Sequence, residues 1–167
     1  MKRWLVTMIA SGSLVLGACS NEEANQHENH QSKEAVHTEH EGHSDIREET
    51  ASVEEMPAFL TNHNDDMKVL YLAAAKHKEL LENIPCYCGC SNELIGHRSN
   101  YDCFIHETKE NGAIVWDDHG TKCQVCLDIA AQAILDYKDG KSIQEIRSDV
   151  DKQYEEGYPQ PTPTPEV

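Results

Sequence analysis

Three cysteines within five residues, Cys86-Tyr87-Cys88-Gly89-Cys90, constrain this chain more than any other feature. In an extended segment alternate side chains share a face, with Cα atoms about 7 Å apart. That separation is at the outer limit for joining neighbours by a disulfide. Two arrangements are therefore open. Each sulfur can pair with a distant partner, and Cys103, Cys123 and Cys126 supply three. Alternatively, the segment can curl at Gly89 and gather its sulfurs around a soft metal, with Pro85 fixing the backbone and Gly89 freeing it.

Cys123-x-x-Cys126 stands at the start of a helical pattern. A helix N-terminus favours a thiolate through its dipole, which suits metal ligation and redox attack alike. Cys-x-x-Cys recurs in zinc sites, where two such pairs supply four ligands. Here the second pair would come from the triple-cysteine segment. Haem attachment is excluded, because it needs a histidine directly after the second cysteine and Leu127 stands there. No strand-helix-strand alternation surrounds Cys123, which argues against a thioredoxin-like fold. His97, His106 and His119 lie in the same region, and His97 and His119 are nearest in sequence to Cys90 and Cys123. Neutral imidazole is a borderline ligand for zinc and copper. The metal-ligating set read from the sequence is Cys86, Cys88, Cys90, Cys103, Cys123, Cys126, His97 and His119.

The N-terminus has a different logic. Met1-Lys2-Arg3 precedes an apolar stretch from Trp4 to Ala18, the layout of a secretory signal peptide. The stretch falls short of the roughly 20 residues a membrane-spanning helix needs. Leu16-Gly17-Ala18-Cys19 resembles the lipobox of bacterial lipoproteins. That resemblance implies lipidation of Cys19 and a mature chain held outside the cytoplasmic membrane by its lipid. The next 40 or so residues are rich in Glu, Asn, Gln, Ser and His and nearly lack large apolar residues. Such a composition reads as a disordered, self-repelling tether. His27, His30, His37, His40 and His43 stud it, three of their gaps being His-x-x-His, a weak collecting tract for divalent metal. The formal net charge of −16 excludes a nucleic-acid partner and keeps the body off anionic headgroups.

Helical signals begin at Asn64, a capping residue followed by Asp65 and Asp66, and end at Pro85. Tyr101–His106 and Ala113–Trp116 are rich in strand-formers, with Asn111-Gly112 as the turn of a small hairpin. Thr121 is placed to cap a helix running to about Lys138, with Gly140 past its end. Ser142-Ile143-Gln144-Glu145 is a capping box for a final helix. The fold expected is mainly α: a small helical domain with a short irregular or hairpin insertion, stapled by disulfides or metal. The divisions expected are a signal peptide over residues 1–18, a tether over 19–60, the cysteine-rich domain over 61–156 and an extended Pro-rich tail over 157–167.

Pro85-Cys86-Tyr87-Cys88-Gly89-Cys90 resembles the signature of bacterial PCYCGC-motif lipoproteins. Gly96-His97-Arg98-Ser99, Asp102-Cys103-Phe104, Trp116-Asp117, His119, Cys123-x-x-Cys126 and Glu145-Ile146-Arg147 are similar to that family's downstream pattern. The resemblance implies an exported, lipid-anchored, cysteine-dependent small domain and supplies no substrate.

Three functions are compatible with these residues. The first is binding or trafficking of a soft or borderline metal, copper(I) or zinc, with the tether histidines as collectors. The second is a disulfide-stapled interaction domain without chemistry of its own. The third is a thiol oxidoreductase using Cys123 and Cys126, which requires an exposed low-pKa thiol where burial is expected. No nucleophile elbow surrounds Ser91, Ser99 or Ser142, and no Gly-rich phosphate loop is present, so a non-enzyme is expected. The partners expected are the membrane, through the lipid on Cys19, and a metal ion.

Overall fold

The computed structural model describes residues 45–92 and 95–167. Cys19 and the five tether histidines lie outside the described residues. The chain runs through strand β1 (Arg47–Thr50), helices α1 (Asp65–Lys76) and α2 (Lys78–Leu81), strands β2 (Ile105–Thr108) and β3 (Ile114–Asp117), and helices α3 (Gln124–Lys138) and α4 (Ile143–Gln153). Single 3₁₀ turns form at Ala58–Leu60, Tyr101–Cys103 and Asp118–Lys122.

The strands build an antiparallel sheet in the order β1-β3-β2, with Arg47 opposite Asp117 and Thr50 opposite Ile114. The expectation of a mainly α domain is thereby overturned: helices and a sheet share one core. The tether expected over 19–60 is also corrected, because its last part contributes β1. The reason is local. Arg-Glu-Glu-Thr has no apolar alternation, and of these four side chains Thr50 alone is buried. β1 is an edge strand held by its ladder to β3 and by the Trp116 indole N–H, which donates to Thr50 Oγ1 at 2.8 Å.

The hairpin forms later in sequence than its residues suggest. Tyr101–Cys103 turns as 3₁₀ and β2 starts at Ile105. Asn111-Gly112 does make the reversal: Gly112 adopts φ 87° and its N–H donates to the Lys109 carbonyl at 3.0 Å. The first helix is capped as expected, Asn64 Oδ1 accepting from the Met67 amide at 2.9 Å, but it breaks at His77. The capping box of α4 is complete, with Ser142 and Glu145 bonding each other's backbone N–H groups. The cap of α3 is Cys123 rather than Thr121, because residues 118–122 are taken up by the 3₁₀ turn that Asp117 caps.

Tyr71, Phe104 and Trp116 form the aromatic centre of the core, Tyr71 meeting Phe104 edge-on at 5.0 Å between centroids. Leu80, Leu81 and Ile84 pack into the same core as Ile129, Ala130, Ala133 and Ile134 of α3 and Ile146 and Val150 of α4. The C-terminal residues, expected as an extended Pro-rich tail, are docked on the domain. Thr162 is buried, its N–H donates to the Cys86 carbonyl and its Oγ1 accepts from the Cys86 amide, both at 2.9 Å. Proline carries no N–H, so the segment bonds little within itself, the Thr164 N–H donating to the Thr162 carbonyl at 2.9 Å, and Thr162 is left to bond the cysteine segment. Arg147 holds the far end through the Pro165 carbonyl at 3.1 Å.

Gly120 is the point of closest packing. A Cβ there would lie 2.8 Å from Phe104 and 2.9 Å from Tyr71 Oη. Gly120→Ala should cost about 1–3 kcal/mol, read as a lower denaturation midpoint with an unchanged m-value in urea unfolding.

Candidate metal centre

Pro85 and Gly89 shape the cysteine segment as a curl, Gly89 taking φ 83°. The turn brings Cys86 and Cys88 to 3.3 Å between sulfurs. Three bonds hold it against its surroundings. The Asn100 N–H donates to the Ile84 carbonyl at 2.8 Å, and the Asn100 side chain donates to the Cys126 carbonyl at 3.1 Å. The His97 N–H donates to the Cys90 carbonyl at 3.0 Å. Asn100 therefore ties the curl to the first turn of α3, a role its sequence context does not advertise.

All six cysteines among the described residues are free, and their sulfurs converge. Cys126 Sγ lies 2.8 Å from Cys123, 3.2 Å from Cys86 and 3.5 Å from Cys88. Cys90 lies 4.0 Å from Cys103. A disulfide gives each sulfur one partner at about 2.05 Å, whereas here Cys86 and Cys126 each face several. A zinc ion bonding thiolates at about 2.3 Å in a tetrahedron spaces its sulfurs about 3.8 Å apart. The observed separations bracket that value. Cys88 is partly exposed and the other five cysteines are buried.

His97 and His119 both join the cluster, while His106 points to the surface. His119 sits in the 3₁₀ turn after β3 and approaches Cys88 Sγ through Nε2 at 3.7 Å. Its Nδ1 meets the Asp45 carboxylate at 3.2 Å. His97 lies in the loop after the curl, 4% exposed, with Asp117 Oδ2 3.9 Å from its Nε2. Sequence reasoning missed Asp45 and Asp117. Asp117 was visible as part of the Trp116-Asp117 pair, but nothing in the sequence marks Asp45, which reaches the site through the β1 pairing.

The electrostatics follow from crowding. Hydrogen bonds from neighbouring thiols hold Cys86, Cys88 and Cys90 well below the ordinary thiol range. Burial pushes Cys103 and Cys126 well up. Cys123 is raised as well: its bond with Cys126 lowers it, but Cys88 and burial outweigh that. Thiols and thiolates thus share protons. His97 is raised to about 9, burial opposing the shift while Asp117 and Cys90 outweigh it. His119 is raised further by Cys123, Cys88 and Cys90, against its own burial. The arrangement is a pocket of negative charge on soft donors, at the N-terminus of the 15-residue helix α3. These Cys and His groups are placed to hold a metal ion.

The family described as "Protein of unknown function with PCYCGC motif" matches residues 7–167, and the chain belongs to that family. No curated protein and no solved structure matches the chain.

Asp117 supports the site from behind. It is fully buried, accepts from Arg47 Nε at 3.0 Å and from the His119 amide at 2.9 Å. Burial alone would raise its carboxyl, but His97, the His119 amide and Arg47 hold it below the usual range. Its stabilisation is therefore complete above the unfolded carboxyl value of about 3.9 and is lost as pH falls through the lower folded value. Asp117→Asn should lose about 2 kcal/mol at neutral pH. In urea unfolding followed against pH, the gap from the parent chain should close in acid.

Proposed function

We propose that this protein binds a soft or borderline metal ion, copper(I) or zinc(II), through its cysteine–histidine cluster. The observation that supports this is the convergence of six unpaired sulfurs and two imidazoles in one buried region. Thiolates select such ions over magnesium or calcium, which prefer oxygen. Compartment adds weight. With Cys19 lipidated, the cluster stands outside the cytoplasmic membrane, where neighbouring free thiols oxidise. A bound metal protects them. The histidines of the tether gather ions near the membrane, and partly exposed Cys88 is the point of entry. The role is that of a carrier or buffer rather than a catalyst.

Metal ligands must shed their protons, so uptake should acidify the medium. Anaerobic titration of the reduced chain with zinc(II) at neutral pH should release protons, seen as a buffer-dependent binding enthalpy in calorimetry. The melting temperature should rise with metal and fall again on chelation. Thiol mass spectrometry of protein recovered without reductant, showing three disulfides and no metal uptake, would overturn the reading.

Cys88→Ser should weaken zinc binding at least tenfold in a competition titration against a chromogenic chelator, given typical losses for an altered ligand shell. An unchanged affinity would remove Cys88 from the site.

A further inference from the structure

The cluster holds more donors than one ion can use. A four-coordinate zinc takes four, and six sulfurs and two imidazoles are present. They fall into two overlapping groups. Cys88, Cys123, Cys126 and His119 have ligand atoms all within 4.8 Å of one another. Cys90, Cys103 and His97 are likewise mutually within 4.8 Å, and His119 lies within that distance of all three. Cys86 Sγ lies within 4.8 Å of both Cys90 and Cys103, as well as 3.3 Å from Cys88 and 3.2 Å from Cys126.

His97 makes the second group more than a remainder. Its ring is 96% buried by the 4% exposure given above, and neither Nδ1 nor Nε2 has a hydrogen-bond partner. Leaving buried polar groups unpaired forfeits their hydration with nothing in return. A ligand bonded to one nitrogen accounts for the orphaned ring. The two histidines are also set alike. Each has a carboxylate beside one nitrogen, Asp45 for His119 and Asp117 for His97, and cysteine sulfurs nearby. A carboxylate behind a ligating imidazole orients the ring and raises its basicity.

We propose that the protein holds two zinc-type ions side by side, each bound by three sulfurs and one imidazole. One is bound by Cys88, Cys123, Cys126 and His119, and the other by Cys86, Cys90, Cys103 and His97. Cys86 lies between the two groups and brings the ions next to each other. Charge supports the count. Six thiolates around one divalent ion leave a net charge of about −4 in a buried region, and two ions leave about −2, a much smaller uncompensated burden. This inference rests on the metal-binding reading above and sharpens it.

Native mass spectrometry of the full chain, reduced and loaded with zinc(II) under anaerobic conditions, tests it. The parent chain should carry two ions. His97→Ala and His119→Ala should each carry one, with far-UV circular dichroism checking that both are folded. Loading the parent chain with cadmium-113 gives a readout independent of any variant: two resonances in the range of three-sulfur, one-nitrogen coordination. A single zinc on the parent chain that persists in His97→Ala would overturn the two-ion arrangement and leave metal binding intact. Three or more tightly held ions would also overturn it. No zinc at all would defeat the metal-binding reading itself.

Discussion

Everything in this molecule is arranged around sulfur atoms brought closer than neutral neighbours would choose. Cys126 and Cys123 stand 2.8 Å apart, and Cys126 and Cys86 3.2 Å. Thiols at such distances share protons, and thiolates repel. Cys86, Cys88 and Cys90 are held below the ordinary thiol range by hydrogen bonds from neighbouring thiols, and Cys103, Cys123 and Cys126 are raised above it. Nothing in an apolar core would hold this set together without compensating positive charge. Within the fold that charge comes from the start of α3 and from two histidines whose ordinary values are raised. The hydrophobic core and the cluster are one structure, since Cys86, Cys90, Cys103, Cys123 and Cys126 pack among its apolar side chains.

The sheet serves that cluster. β3 ends at Asp117 and passes directly into the 3₁₀ turn that carries His119. β1 pairs with β3 and, just ahead of it, brings Asp45 to His119 and the Ile46 amide to Asp118 Oδ1 at 2.8 Å. Gly120 lets the turn lie flat against Phe104 and Tyr71. Tyr71 donates its hydroxyl to the Asp117 carbonyl at 2.9 Å, so the aromatic core fixes the same short stretch of backbone. Residues outside the cysteine–histidine set thereby decide where His119 stands.

What the sequence reveals of this depends on the kind of signal. The cysteines, His97 and His119 were legible because spacing and residue type carry their chemistry locally. The caps at Asn64 and Ser142 and the turn at Asn111-Gly112 were legible for the same reason. β1 was not, because an edge strand with one buried side chain leaves no apolar period, and its partner is some 70 residues away (Arg47 to Asp117). The docking of the Pro-rich end was illegible as well, since Pro-rich composition reports extension and not what the extended backbone lies against. His97 in sequence is one histidine among ten. Its nearness to Cys90 marked it as a candidate, and its burial without a hydrogen-bond partner is what the structure adds.

The overall charge and the cluster divide the task of selection on the proposed reading. A net charge of −16 raises the local concentration of every cation without distinguishing among them. Surface carboxylates hold hard ions loosely, and histidines on a tether favour borderline ones. The buried cluster adds a preference for sulfur bonding and excludes ions that keep their water. Five of its six thiols are shut from solvent, so on that reading an ion exchanges by way of partly exposed Cys88. The pair of hydrogen bonds between Thr162 and Cys86 joins the C-terminal segment to a cysteine that lies between both donor groups. An ion moving in or out of either group disturbs that same residue. On the proposed reading, retention of metal is for this reason coupled to the docking of a segment that has no ligand of its own.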